Sequence, residues 1–346
     1  MSIVRKLTQL LAQSLITHAI YKENIQKIVA HLVDSTLIHL YKLVSMKLST
    51  KPTSPIQSVI IYGAPKTGKT QLAGELAKEF NLIWFDLENG YATLTKMPME
   101  WQERIEIISI PDTRDYPIAI ETCLKVIRGN PVTICEIHGK VDCPICKQTS
   151  APTVAVNLNA LSPDTVVVFD SITQLTNSAI AFITKGKPDD YKLDYDDWAK
   201  LGKLMDAFFS AVQQAKFHVV CISHETESEM EDGKLKLVPT AGTRNFSRNV
   251  AKYFGHVVYA DVKNMKHTFN SKTASTLNIV TGSRTDVDTA KMAEPSLIPI
   301  FKSVKIVNQS PGQVAAQNLG QINKPENTAP ATNLLAQLQA KLGEKK

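Results

Sequence analysis

Apolar residues along the chain alternate between short unbroken runs and runs spaced three and four apart, the pattern of buried strands separated by amphipathic helices. Stretches 59–62, 82–86, 105–110, 165–170, 217–223 and 257–262 read as strands, most of them apolar enough to be covered on both faces. Between them, Leu72, Ala73, Leu76, Ala77 and Phe80 share one helical face, and 116–127, 172–182 and 198–215 read as further helices. Residues 184–197 and 225–240 lack either period and read as polar or charged loops. Strand and helix in turn predict an α/β fold, a mainly parallel sheet flanked by helices, over a core of residues 51–305.

Both ends of the chain depart from this pattern. In residues 1–50, Leu7, Leu10, Leu11, Leu15, Ile25, Ile28, Val29, Leu32 and Leu40 are spaced for one or two amphipathic helices. Three readings stand for this extension: a helical cap or partner-binding hairpin, which is preferred, a basic membrane-surface helix, or an upstream stretch before a start at Met46. Residues 306–331 are rich in Gln, Asn, Pro and Ala and read as a flexible linker. In 332–346, Leu334, Leu335, Leu338 and Leu342 form a short amphipathic tail helix, too short to be stable alone, which calls for a partner or a neighbouring subunit.

The first strand runs into Gly63, Ala64, Pro65, Lys66, Thr67, Gly68, Lys69, Thr70 and Gln71, and these fill the pattern G-x-x-x-x-G-K-[ST]. Backbone N–H groups of such a loop wrap a triphosphate. Lys69 reaches the β- and γ-phosphates and the Thr70 hydroxyl takes a Mg²⁺ position. Mg–ATP is the expected ligand, and GTP is disfavoured because no N/T-K-x-D tetrad is present. Strand 165–170 ends in Asp170, the expected second element of the Mg²⁺ shell. No glutamate follows Asp170, which shifts water activation to Glu88, just past the second strand; the alternative is a helix N-terminal acid with no catalytic part. His224, at the tip of strand 217–223, is either a γ-phosphate sensor that couples to the adjoining loop or an ordinary histidine.

An insertion at 130–150 carries Cys135, His138, Cys143 and Cys146 in the spacing C-x2-H-x4-C-x2-C. Thiolate and imidazole at this spacing suit a structural tetrahedral Zn²⁺ site, and the alternative is a hairpin with incidental cysteines. Five cysteines, three of them crowded here, do not make a secreted disulfide framework and favour a cytoplasmic protein. No apolar stretch reaches the ~18 residues of a membrane span.

With 43% hydrophobic and 21% charged residues, the 346-residue chain has an ordinary globular composition, and a net charge of +6 permits an anionic partner without demanding one. The basic excess concentrates between Lys234 and Lys272, where eight Lys or Arg face one acid, Asp261. Lys234, Lys236, Arg244 and Arg248 are the DNA-binding candidates, with Tyr191, Tyr195 or Phe246 as stacking platforms.

Across residues 57 to about 287, the order GAPKTGKT, FDLENG, VVVFDS, DYDDWAKLGKLMDAFF, VVCISHE and PTAGT resembles the phage nucleotide-binding family with a RecA-like P-loop core, the Sak-like single-strand recombinases. The resemblance implies that Glu88 activates water, Asp170 is linked to Mg²⁺, His224 couples γ-phosphate to DNA, and loops 184–197 and 225–240 face DNA. Both loops are net acidic, which departs from what phosphate contacts require. Arg284 is the candidate finger to a neighbour's ATP in a homo-oligomer with nucleotide at subunit interfaces. A DNA-dependent ATPase of phage recombination, working in the host cytoplasm, is therefore the leading reading. The competing one is a nucleotide-switched protein that recruits a single-strand-binding or replication partner without touching DNA.

Overall fold

The structure is a computed structural model that describes residues 56–273 and 278–302. The expected extension 1–50, linker 306–331 and tail helix 332–346 lie outside the described residues.

Six parallel strands form the body of the sheet: β1 (Ser58–Gly63), β2 (Asn81–Asp86), β3 (Ile105–Ser109), β6 (Thr165–Asp170), β7 (His218–Glu229) and β9 (His256–Lys263). Their spatial order is β9, β1, β7, β6, β2, β3, so β7 lies between the two strands that end in the phosphate loop and in Asp170. The edge beyond β9 is covered by antiparallel β10 (Lys266–Asn270) and β11 (Gly282–Ser283). A separate two-stranded sheet, β4 (Val132–Cys135) with β5 (Thr153–Val156), brackets the cysteine-rich insertion.

Alternating residues of the central strands feed two cores, one on each face. Ile60, Tyr62, Phe85, Val167 and Phe169 point to the layer built by α2 (Ala119–Val126), α4 (Ile172–Thr184) and α5 (Tyr195–Gln213). Val59, Ile61, Trp84, Val166 and Val168 point to the layer of α1 (Lys69–Gly74), where Leu72, Ala73, Leu76, Ala77 and Phe80 are buried as their spacing predicts. Burial on both faces explains why these strands read as continuous apolar runs.

One loop expectation fails. Residues 225–240 are mostly a hairpin in which β7 runs on to Glu229 and pairs with β8 (Leu235–Pro239). Glu225, Glu227 and Glu229 alternate with Thr226 and Ser228, the period of a strand with a wet face. Charge at alternate positions hides this strand from a pattern built on apolar runs.

Candidate active site at the phosphate loop

β1 delivers Gly63 to the carboxyl edge of the sheet, where open α/β sheets place ligands. A Cβ on Gly63 would lie 2.1 Å from the Ala260 carbonyl oxygen of β9. Gly68 has a φ of 85° and faces the His267 ring, whose Nδ1 would sit 3.0 Å from a Cβ. Close approach and the left-handed backbone together demand glycine at these two ends of the loop.

Lys69 Nζ folds back on the loop and donates to the carbonyls of Gly63 at 2.9 Å and Ala64 at 2.6 Å. The Thr67 hydroxyl closes the same turn on the Ala64 carbonyl at 2.8 Å. Burial holds the Lys69 ammonium below its ordinary pKa, against the opposing pull of the carboxylates of Asp170, Glu88 and Glu225. Pro65, Lys66 and Gln71 are exposed around the loop, and Gln71 Nε2 donates to Glu75 Oε1 at 3.4 Å. Beside Gly68 and Gln71 opens a cavity of about 230 Å³, also lined by His267, Phe269 and Pro295.

The Thr70 hydroxyl donates to Asp170 Oδ2 at 3.0 Å, joining the loop to the end of β6. Asp170 is 3% exposed; burial and then the Glu88 charge push its carboxyl up to about 7, while the Thr70 hydrogen bond opposes the shift. In register beside it on β2 stands Asp86, fully buried. Asp86 Oδ1 accepts the N–H groups of Glu88 at 3.3 Å and Gly90 at 3.0 Å, while its Oδ2 has no partner among the described residues. Burial raises the Asp86 carboxyl too, against those N–H groups. Two buried carboxyl groups short of positive charge, next to a threonine hydroxyl, are the oxygen donors that Mg²⁺ takes. The donor set fits that ion.

Sequence reasoning missed Asp86, because Glu88 two residues on supplied the carboxylate that the second strand was expected to carry. The signal was there: the second strand ends in Phe85–Asp86 as β6 ends in Phe169–Asp170.

Glu88 accepts the Ser171 hydroxyl at Oε1, and its Oε2 lies 3.8 Å from His224 Nε2. Burial raises the Glu88 carboxyl, but the nearby His224 ring, the Ser171 hydroxyl and the Lys69 charge outweigh it, so the group lies below its ordinary pKa. Ser171 follows a cis Asp170–Ser171 peptide and caps α4, accepting the Gln174 N–H at 3.2 Å. The His224 backbone N–H donates to Thr173 Oγ1 at 2.8 Å, and its buried Nδ1 has no partner among the described residues. Lys69, Thr70, Asp170, Glu88 and His224, named from distant parts of the sequence, thus meet at one place.

Other candidates do not. Arg284 follows β11, whose Ser283 pairs with His256 at the start of β9, whereas Gly63 pairs with Ala260 four residues later. Arg284 therefore lies toward the opposite end of the sheet from its own chain's Lys69. Lys234 is ion-paired with Asp232 at 3.2 Å in the hairpin turn, and Lys236 stands opposite Ser228 on β8. Arg244 opens α6 (Arg244–Asn249) and is exposed, and Arg248 ties α6 to the hairpin through the Glu229 carbonyl at 2.9 Å. Two stacking candidates are already engaged. Tyr191 has the Lys187 ammonium 3.8 Å from its ring centroid and its hydroxyl on Asp197 Oδ2 at 2.5 Å, and Phe246 stacks with Phe209 and Tyr253. Tyr195 remains 87% exposed.

Among the described residues no helix is long and apolar enough to cross a membrane. No match was found among curated proteins. Among solved structures, the RadB recombinase is similar at 16% identity over 64% of this chain and 89% of that one, with a TM-score of 0.33. The flagellar accessory protein FlaH from Methanocaldococcus jannaschii is similar at 11% identity over 62% and 75%, with a TM-score of 0.31. These likenesses are too weak to carry function to this chain. A family model, AAA_24, described as an AAA domain, matches residues 56–286 and so spans the phosphate loop, Glu88, Asp170, His224 and the sheet that assembles them. The chain belongs to the AAA_24 family of AAA domains.

Proposed function

We propose that this chain binds Mg–ATP at the phosphate loop and hydrolyses it, and that hydrolysis serves single-stranded DNA in phage recombination, repair or annealing. The observation that carries the ATPase reading is the Thr70–Asp170 hydrogen bond at 3.0 Å beside the buried Lys69. Lys69 exchanges the Gly63 and Ala64 carbonyls for phosphate oxygens. Thr70 and Asp170 would hold Mg²⁺, with the buried Asp86 carboxyl in register behind them. When bound, the ion neutralises charge on the phosphoryl oxygens. Glu88, kept ionised by Ser171 and His224, orients the attacking water for in-line displacement. His224 begins the hairpin of β7 and β8, so a change at the phosphate end has a direct route to that hairpin.

The DNA reading is supported by the motif order, by Arg244 and Lys236 near the hairpin, and by exposed Tyr195. Glu225, Glu227 and Glu229 on the same hairpin favour the second reading, a nucleotide-switched surface for a replication or single-strand-binding partner. A subunit interface around ATP, with Arg284 reaching a neighbour's nucleotide, belongs to either. The experiment is Mg²⁺-dependent ATP hydrolysis by the purified chain with and without single-stranded DNA, beside Lys69→Ala. Turnover that is lost in Lys69→Ala and stimulated by DNA is expected. Turnover that survives Lys69→Ala refutes the ATPase reading, and Lys69-dependent turnover indifferent to DNA at low salt transfers the weight to the partner-switch reading.

A further inference from the structure

The insertion between β4 and β5 carries a second constellation that the ATP chemistry does not use. Cys135 ends β4, His138 follows in the turn, Cys143 caps α3 (Pro144–Thr149) and Cys146 sits within it. One potential ligand atom from each of the four lies within 4.8 Å of all the others. His138 Nδ1 is 3.2 Å from Cys146 Sγ and 3.6 Å from Cys143 Sγ. A tetrahedral zinc centre with Zn–S near ~2.3 Å and Zn–N near ~2.0 Å has N···S edges of about 3.5 Å and S···S edges of about 3.8 Å. Both His138 contacts lie near that N···S edge, and all four ligand atoms fall within a span that such a centre can close.

A further feature points the same way. The three cysteines are buried together, yet apart from one another the apolar side chain packed on them is Ala151 alone among the described residues. The thiol pocket is thus lined by sulfur rather than by apolar side chains, although Ile134 and Val141 of the same segment reach the main core.

The turn bears directly on the ATP-site scaffold. Gly139, at φ 59°, lies so close to β3's exit that a Cβ there would meet Pro111 Cδ at 2.7 Å and Ile110 Cγ2 at 3.1 Å. The Thr122 hydroxyl of α2 donates to the Gly139 carbonyl at 2.7 Å. The residue after Pro111 is Asp112, whose Oδ1 accepts the Ala119 N–H at 2.8 Å and the Ser178 hydroxyl at 2.7 Å, and whose Oδ2 accepts Gln174 Nε2 at 2.9 Å. Gln174 in turn bonds Ser171, and Ser171 bonds Glu88.

We propose that Cys135, His138, Cys143 and Cys146 hold one structural zinc ion, and that the turn it closes fixes Pro111 and Asp112, the buttress of α4 and of the Ser171–Glu88 contact. Four protein ligands leave no open position, so the ion does no chemistry on substrate. The proposal does not depend on the ATPase reading.

Metal analysis of the full chain tests it without any activity assay. Zinc near one per chain is expected in the wild type, falling about tenfold or more in Cys143→Ser and kept in Cys143→His, which preserves a ligand. Cobalt in place of zinc gives tetrahedral visible bands with thiolate charge transfer. Should Cys143→Ser fail to fold, thiol-selective modification of the wild type reads the same site, since zinc must leave in step with cysteine modification. Native-state hydrogen exchange then reads the buttress: on zinc removal the Ala119 and Ile120 amides lose about tenfold or more protection, while Ile60 and Ile61 in β1 keep theirs. Wild-type protein folded with zinc present that holds far less than one ion, or zinc unchanged in Cys143→Ser, overturns the site. Unchanged protection at Ala119 after zinc removal overturns the buttress.

Discussion

Replacing Asp170 by asparagine should make the nucleotide-free protein more stable, and increasingly so as pH rises. The Asp170 carboxyl is 3% exposed, and burial beside ionised Glu88 lifts its pKa from an ordinary 3.8 to about 7. A carboxyl raised in the folded state binds its proton more tightly there than in the unfolded chain. Stability from this group is thus complete below pH 3.8 and is lost as pH rises to about 7. At about 1.4 kcal/mol per pKa unit, the cost of holding the Asp170 carboxyl in its buried site, mostly protonated until pH 7, grows by roughly 3 kcal/mol between pH 5 and pH 8. The amide of the Asp170→Asn variant cannot ionise, and its side-chain carbonyl can still accept the Thr70 hydroxyl. Urea unfolding of both proteins at each half unit of pH, without Mg²⁺ or nucleotide, measures the difference, with buried Trp84 contributing to the fluorescence. Taking the difference cancels other titrations, notably His218 and His256, whose pKa values are pressed down to about 4 by burial. The advantage of Asp170→Asn over wild type should widen by roughly 3 kcal/mol from pH 5 to pH 8, and Mg²⁺ with nucleotide should narrow it by stabilising the wild type alone. An advantage that stays flat across this range refutes the account of Asp170 as an uncompensated buried acid.

Glu88→Gln should keep nucleotide affinity while turnover falls roughly 10²–10⁴-fold, read by nucleotide binding and steady-state hydrolysis; unchanged turnover removes Glu88 from the mechanism. Gly63→Ala places its methyl 2.1 Å from the Ala260 carbonyl oxygen, so a loss of about 1–3 kcal/mol is expected in urea unfolding. His218 Nδ1 accepts the Gln57 N–H at 3.0 Å as a neutral ring, with its folded pKa about 4 against an ordinary 6.5. Its stabilising part is therefore lost as pH falls from 6.5 toward 4, and His218→Asn should make the acid limb of the stability curve shallower than in wild type.

Local sequence by itself determined the apolar parts of the six parallel strands, the phosphate loop and the metal-ligand spacing, because each is written in adjacent residues. An apolar run such as Val166–Phe169 makes a buried strand wherever it sits, and Gly63, Gly68 and Lys69 set their loop by backbone freedom and charge within eight residues. Only the tertiary structure decided which distant groups meet. The order β1, β7, β6, β2 brings Thr70 to Asp170 across 100 residues of sequence and Ser171 to Glu88 across 83, and it sets Asp86 in register beside Asp170. It also pairs the acidic stretch after His224 into a hairpin, occupies Tyr191 and Phe246 in packing, and sends Arg284 toward the far end of the sheet. Those outcomes depend on strand order and on which carboxyl groups lose their water together. Neither is a property of any short window of sequence, because burial and register exist only once the whole sheet has closed its two cores.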